Sequence, residues 1–169
     1  MKYKLTDINS KTFAGCQWGE NISHTASGEG KKLCTDSLIH YYEDKYLAVF
    51  TNPIHANYSP ALLWEFKPEK KIAGDALKSG CKTGMTIKQI PMPEITTEQR
   101  IIIAIRCALA VYKDKDFVKW AENWINNTDR SSAAADAAAY AANAADAAAH
   151  AAAANIDIIK IIHEVLGVD

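Results

Sequence analysis

The N-terminal half of the chain carries Trp18, His24, His40, Tyr41, Tyr42, Asn52, His55, Asn57, Tyr58 and Trp64. Aromatic rings stack on nucleobases, and imidazole and amide groups hydrogen-bond the polar edges. Lys31 and Lys32 end the glycine-bearing segment SGEGKK, where ammonium groups can face a phosphate. This density of side chains points to a pocket for a small nucleotide-like ligand. Its candidate binding residues are Trp18, Lys31, Lys32, His40, Tyr42, Asn52, His55 and Trp64. The alternative is that Trp64 and some tyrosines are core and that the histidines are satisfied locally.

Motifs of known chemistry are absent. SGEGKK lacks the G-x-x-x-x-G-K-[ST] spacing of a phosphate loop, and neither G-x-S-x-G nor H-E-x-x-H occurs. Gly80-Cys81-Lys82-Thr83-Gly84 reads as a hairpin loop, with an anion-binding turn as the alternative. Cys34 and His40 supply the groups of a nucleophile–base pair, with no motif around them. Cys16, Cys34, Cys81 and Cys107 are widely spaced, with no C-x-x-C. They read as reduced core thiols, so neither a metal nor a cofactor is expected.

With 169 residues the chain can form one ordinary domain or two small ones. A net charge of −1 argues against nonspecific binding of nucleic acid or anionic membrane, which needs a basic surface. The N-terminus, MKYKLTDINS, has no apolar core of a signal peptide, so a cytoplasmic location in the host is expected.

The elements that must position these residues divide near residue 95. Seven of the eight glycines and all five prolines lie before it. The expected fold class is α+β: a small, mostly antiparallel, β-rich module over 1–95, then a three-helix region over 96–169. KYKLTD, ALLWEFKP and MTIKQIPMP read as strands, Phe13 to Trp18 as another, and KLCTDSLIHYY as a strand or strand end. Asp44 to Phe50 reads as a short helix or buried strand, and Asn52-Pro53 as a turn or helix start. Thr96 and Gln99 fit a capping box for EQRIIIAIRCALAVY, and KDFVKWAENWINN is a second helix.

The third helix is expected over about 130–166. In residues 133–154, seventeen of twenty-two positions are alanine, the strongest helix former. Asp136, Tyr140, Asn143, Asp146 and His150 fall on one stripe of that helix. The methyl face suits close packing against a neighbour, so Tyr140, Asn143 and His150 are candidate interface residues of a homo-oligomer.

Several segments together resemble a group of phage and prophage proteins: GCQW at 15–18, LCTDSLIHYY at 33–42, LAVFTNPIHANY at 47–58, PEITTEQR at 93–100 and WAENWINNTDRS at 120–131. The resemblance covers most of the chain and implies a phage origin. It transfers no activity and no catalytic residue. Small phage accessory proteins often counter host defence. The expectation is therefore a non-enzymatic protein that sequesters a nucleotide-type immune signal. The alternative is a protein-binding inhibitor of a host defence effector, as anti-CRISPR proteins are. Behind these stand a virion assembly role and an ADP-ribosyltransferase-like enzyme. The last is suggested by the order of strand, His-Tyr segment, helix and a strand bearing Glu65, but that family's serine motif is missing.

Overall fold

A computed structural model of the chain describes residues 1–130 and 156–168. It shows an α+β protein that divides into two compact units, Met1–Glu94 and Ile95–Asp169. The expected interface residues Tyr140, Asn143 and His150, and the alanine-rich segment that carries them, lie outside the described residues. No helix among the described residues is long and apolar enough to cross a membrane.

The first unit has seven strands: β1 (Lys2–Asp7), β2 (Ile22–Thr25), β3 (Ile39–Tyr41), β4 (Ala61–Pro68), β5 (Lys71–Gly74), β6 (Ser79–Cys81) and β7 (Thr83–Ile90). Its one α-helix, α1 (Lys45–His55), joins β3 to β4. All strand pairs are antiparallel, in a four-stranded sheet of order β1-β4-β7-β2 and a three-stranded sheet of order β3-β6-β5. Only Lys82 separates β6 from β7, so one bent segment serves both sheets. On the other side Tyr3 and Tyr42 exchange two backbone bonds of 2.9 and 2.8 Å. The chain of pairings β1–β4–β7/β6–β3–β1 thereby closes on itself.

Trp18, Tyr41, Phe66 and Cys81 form a buried cluster in this unit. β1 alternates, and the face that carries Lys4 and Thr6 is buried as fully as the face that carries Leu5. Lys4 donates to the His40 carbonyl at 3.0 Å and lies 4.6 Å from the Trp18 ring centre and 5.6 Å from that of Phe66. The Trp64 indole N–H donates to Thr6 Oγ1 at 3.0 Å. Gly84 has to be glycine, because a Cβ there would land on the Phe66 ring. α1 packs on β1. Its N-cap is Asp44, whose carboxylate accepts from the Tyr46 and Leu47 amides.

The second unit is helical, with α2 (Thr97–Val111), α3 (Lys115–Ile125) and α4 (Ile158–Leu166). The Thr96/Gln99 capping box is formed, and Asp114 and Asp157 cap α3 and α4. Ile105, Ala121 and Trp124 make its buried cluster, and α2 also packs on α4. Arg130 lies over the Trp124 ring and pairs with Glu98 at 2.7 Å.

Four local expectations are corrected. Phe13–Gly15 is a 3₁₀ turn, not part of a strand, because Gly15 is left-handed and the Thr12 amide donates to the Cys16 carbonyl. Asn52 and Pro53 lie inside α1, in its last turns, where only the amide that Pro53 lacks is missing. Gly80 to Gly84 is strand with a single-residue bend, since β6 and β7 pair with β3 and β4 on either side of Lys82. A single helix from about 130 to 166 does not form: Ile156 and Asp157 are non-helical, and the Asp157 carboxylate starts α4 afresh by accepting from the Lys160 amide.

The burial of Lys4 gives a testable pH dependence. Burial pulls its ammonium down to about 8 from the ordinary 10.5, against the opposing influence of Cys81 and Cys16. Between these values the unfolded chain binds a proton that the folded chain does not, so this contribution to stability rises with pH. At pH 7 the buried charge costs on the order of 3 kcal/mol. Above pH 9 the buried thiols of Cys81 and Cys107, pushed up to about 11 and 12, act in the opposite sense. Denaturant unfolding of wild type and Lys4→Met from pH 7 to 10 isolates the lysine. The stability advantage of Lys4→Met should be largest at pH 7 and shrink as pH rises. A constant difference contradicts a buried, charged Lys4.

Candidate functional site

The structure separates the eight expected ligand-binding residues into three groups. Trp18 and Trp64 are core side chains, 3% and 5% exposed, and their indole N–H groups are taken by Thr12 and Thr6. Neither can offer a ring face to a ligand, which corrects the expectation for both. Asn52 is also occupied. Its side chain accepts the Tyr58 amide and donates to the Tyr58 carbonyl, closing the turn after α1. Lys31 and Lys32 stand exposed on the loop between β2 and β3. Among the described residues they make no hydrogen bond or ion pair to the remaining group.

That group is His40, Tyr42 and His55. β3 carries His40, the residue after β3 is Tyr42, and His55 ends α1. The Tyr42 and His55 rings are stacked, with centroids 6.4 Å apart and planes at 20°. Tyr42 is itself buried and its hydroxyl is pushed up to about 12 by burial, so it supports His55 and is not a free stacking platform. His40 is half-buried, and its Nε2 accepts the Cys34 amide at 2.9 Å. That bond places the proton of the neutral ring on Nδ1. The His55 Nδ1 is buried and has no hydrogen-bond partner.

Sequence reasoning did not find Lys78 and Asp75, which join this cluster from the β5–β6 turn. Asp75 Oδ1 accepts the Leu77 and Lys78 amides at 2.8 Å each, and the Asp75 amide donates to the Lys78 carbonyl. This fixes Lys78, whose ammonium donates to Cys34 Sγ at 3.0 Å. An Asp opening a short polar turn is a readable signal; the place of that turn beside β3 is not. Cys34 is exposed, which corrects its assignment as a core thiol, and it adopts a left-handed φ of 63°.

The electrostatics of the cluster are one-sided. Burial, then Lys78, Lys4 and His55, bring His40 down to about 4, with Asp75 opposing. Burial and Lys78 also lower His55. Both rings are therefore neutral at physiological pH, beside an ammonium and an unmet imidazole nitrogen. Such a surface receives anionic and hydrogen-bonding groups. Among the described residues no group of three or more His, Cys, Asp or Glu side chains is arranged to hold a metal ion. Comparison with known proteins adds no relative: no family model, no curated protein and no solved structure matches the chain.

His40 supplies the check on this geometry. Its folded value lies below the ordinary 6.5, so the folded chain binds fewer protons between pH 6.5 and 4. This contribution to stability is intact above 6.5 and declines as pH falls through that window. In an NMR titration its imidazole should stay neutral down to about pH 4, and Lys78→Met should move its midpoint upward. A midpoint near 6.5 that ignores Lys78→Met contradicts the described cluster.

Proposed function

We propose that the chain is a phage accessory protein that binds and sequesters a nucleotide-type immune signal of the host, without turning it over. The observation that carries this reading is the buried, unpartnered Nδ1 of His55, beside His40 and the Lys78 ammonium. A buried polar atom left without a partner costs about 1–3 kcal/mol, which a ligand hydrogen bond recovers. Lys78 adds attraction for phosphate, and Lys31 and Lys32 extend the positive charge along the neighbouring loop. A histidine held near 4 is a weak base at neutral pH, so the cluster suits binding better than acid–base catalysis. The phage origin rests on the resemblance of the segments at 15–18, 33–42, 47–58, 93–100 and 120–131.

Calorimetry of cyclic dinucleotides and ADP-ribose derivatives tests the proposal. One class should bind, with the ligand recovered intact. His55→Ala and Lys78→Met should each weaken binding by about tenfold, the equivalent of one charge-assisted contact. Circular dichroism confirms that the variants fold. No heat from any of these ligands removes the sequestration reading, and breakdown of the ligand replaces it with an enzyme.

A second reading, a protein-binding inhibitor of a host defence effector, is favoured by Phe13. Its side chain is 78% exposed, although the surrounding turn is firmly built. Gln17 Nε2 donates to the Asn9 and Trp18 carbonyls, and the Trp18 amide to that of Ser10. An aromatic ring on a preorganised turn is a suitable anchor for a partner's apolar pocket. If this reading holds, a host protein co-purifies stoichiometrically with wild type from infected cells, and Phe13→Ala loses it. Equal recovery with Phe13→Ala excludes Phe13 as the anchor.

A further inference from the structure

The donors and charges around His55 discriminate between ligands. His40 Nε2 accepts the Cys34 amide, so the Nδ1–H of that ring is a donor, and it meets no acceptor among the described residues. Lys78 has three N–H groups and uses one on Cys34 Sγ. Lys4, the other ammonium that acts on His40, is engaged by the His40 carbonyl and the faces of Trp18 and Phe66. The unmet His55 Nδ1 donates to a phosphate oxygen in one tautomer and accepts from a ribose hydroxyl in the other, and a nucleotide carries both groups side by side. Against these donors stands one fixed negative charge. Asp75 is held in the β5–β6 turn by the Leu77 and Lys78 amides, and it acts on both imidazoles. A ligand's negative charge therefore gains from Lys78 and loses to Asp75. The cost of taking an ion out of water grows with the square of its charge, so the balance turns against a doubly charged group.

We propose that the His40, His55 and Lys78 cluster takes a singly charged phosphodiester, the linkage of a cyclic nucleotide, and that Asp75 is the selectivity residue that turns away doubly charged phosphate. The inference rests on the nucleotide-binding reading of this surface and narrows its ligand class. A diester carries one negative charge, which Lys78 answers, and its two free oxygens accept from Lys78 and from His40 Nδ1–H. A terminal phosphate carries close to two charges at neutral pH. The second charge meets Asp75 and neutral imidazoles, and burial and Lys78 both oppose protonation of those rings. The pyrophosphate of ADP-ribose has the same handicap, with two charges on adjacent phosphates. Trp18, Trp64 and Tyr42 are buried and give a base no ring face, so recognition through this cluster falls on the phosphate and ribose.

The test is calorimetry on the full chain at neutral pH with three probes that share adenine: cyclic di-AMP, ADP-ribose and 5′-AMP. Wild type should bind cyclic di-AMP about fivefold more tightly than either of the others, the effect of one unit charge at contact distance in water-like surroundings. Asp75→Asn keeps a side-chain oxygen for the Leu77 and Lys78 amides and removes the charge. It should strengthen 5′-AMP about fivefold more than it strengthens cyclic di-AMP. If ADP-ribose or 5′-AMP binds wild type as tightly as cyclic di-AMP does, this proposal is overturned and the sequestration reading stands, a comparison that needs no variant. If folded Asp75→Asn strengthens both probes equally, Asp75 is not the selectivity residue. Absence of binding by all three probes overturns this proposal together with the reading beneath it.

Discussion

The pair of backbone hydrogen bonds between Tyr3 and Tyr42 fixes more of the N-terminal unit than any other contact. It joins β1 to the chain just after β3, and so closes the circuit of pairings that runs through β4 and the bent β6–β7 segment. The residues around Tyr42 inherit their places from it. His40, two residues earlier, is set at the sheet edge, with its carbonyl accepting from Lys4. Tyr42 supports His55 from below. Glu43 comes next and gathers Lys2, Lys71 and Ser79, which belong to β1, β5 and β6. Asp44 then caps α1, the helix that ends in His55. A run of five residues thus carries a strand edge, a site residue, an ion-pair hub and a helix start.

Two charges in this unit, the half-buried Glu43 and the buried Lys4, meet opposite fates. Burial alone would raise the Glu43 carboxyl, but hydrogen bonds from Lys2, Ser79 and Lys71 hold it down at about 2. The charge is retained because its partners converge on it from three strands. Lys4 has only the His40 carbonyl and the faces of Trp18 and Phe66, and burial wins. The same physics decides both cases: a charge removed from water is destabilised unless enough donors or acceptors replace the water. Lys4 in turn contributes to the field that keeps His40 neutral, so the core and the surface cluster are electrically one system.

The secondary structure was legible where the signals are local. Strand alternation in KYKLTD and ALLWEFKP, and the Thr96/Gln99 capping box, translate directly into β1, β4 and α2. The failures share a cause. In KYKLTD, alternation shows that two faces differ and not that both are covered, so the burial of Lys4 and Thr6 is not legible there. Trp18 and Trp64 read as stacking platforms, because a sequence does not show that a threonine hydroxyl waits for each indole N–H. Lys78 was invisible for a related reason. Its contact with Cys34 spans 44 residues and exists only because β6 pairs with β3. Of the expected site, the part that holds together, His40, Tyr42 and His55, lies on two consecutive elements, where sequence proximity stands in for spatial proximity.

Two departures from local rules fall in this cluster. Of the five non-glycine residues with positive φ among the described residues, three are asparagines, which tolerate that region, and Ser10 lies in a tight turn. Cys34 is the exception, since cysteine has no such tolerance, and strain of this kind costs on the order of 1 kcal/mol or more. It is offset where Cys34 stands: the twisted backbone is what aims its amide at His40 and its sulfur at Lys78. Within reach of the same charges lies the unpartnered His55 Nδ1, a second local cost with no internal return. In the N-terminal unit the indole N–H groups of Trp18 and Trp64 and the Glu43 carboxylate are satisfied, whereas the left-handed Cys34 and the unmet His55 nitrogen both lie within the influence of Lys78. Sites that bind are where such costs are expected to gather, and in the N-terminal unit the described residues place an exposed, left-handed Cys34 and an unmet buried imidazole nitrogen around the same lysine, Lys78.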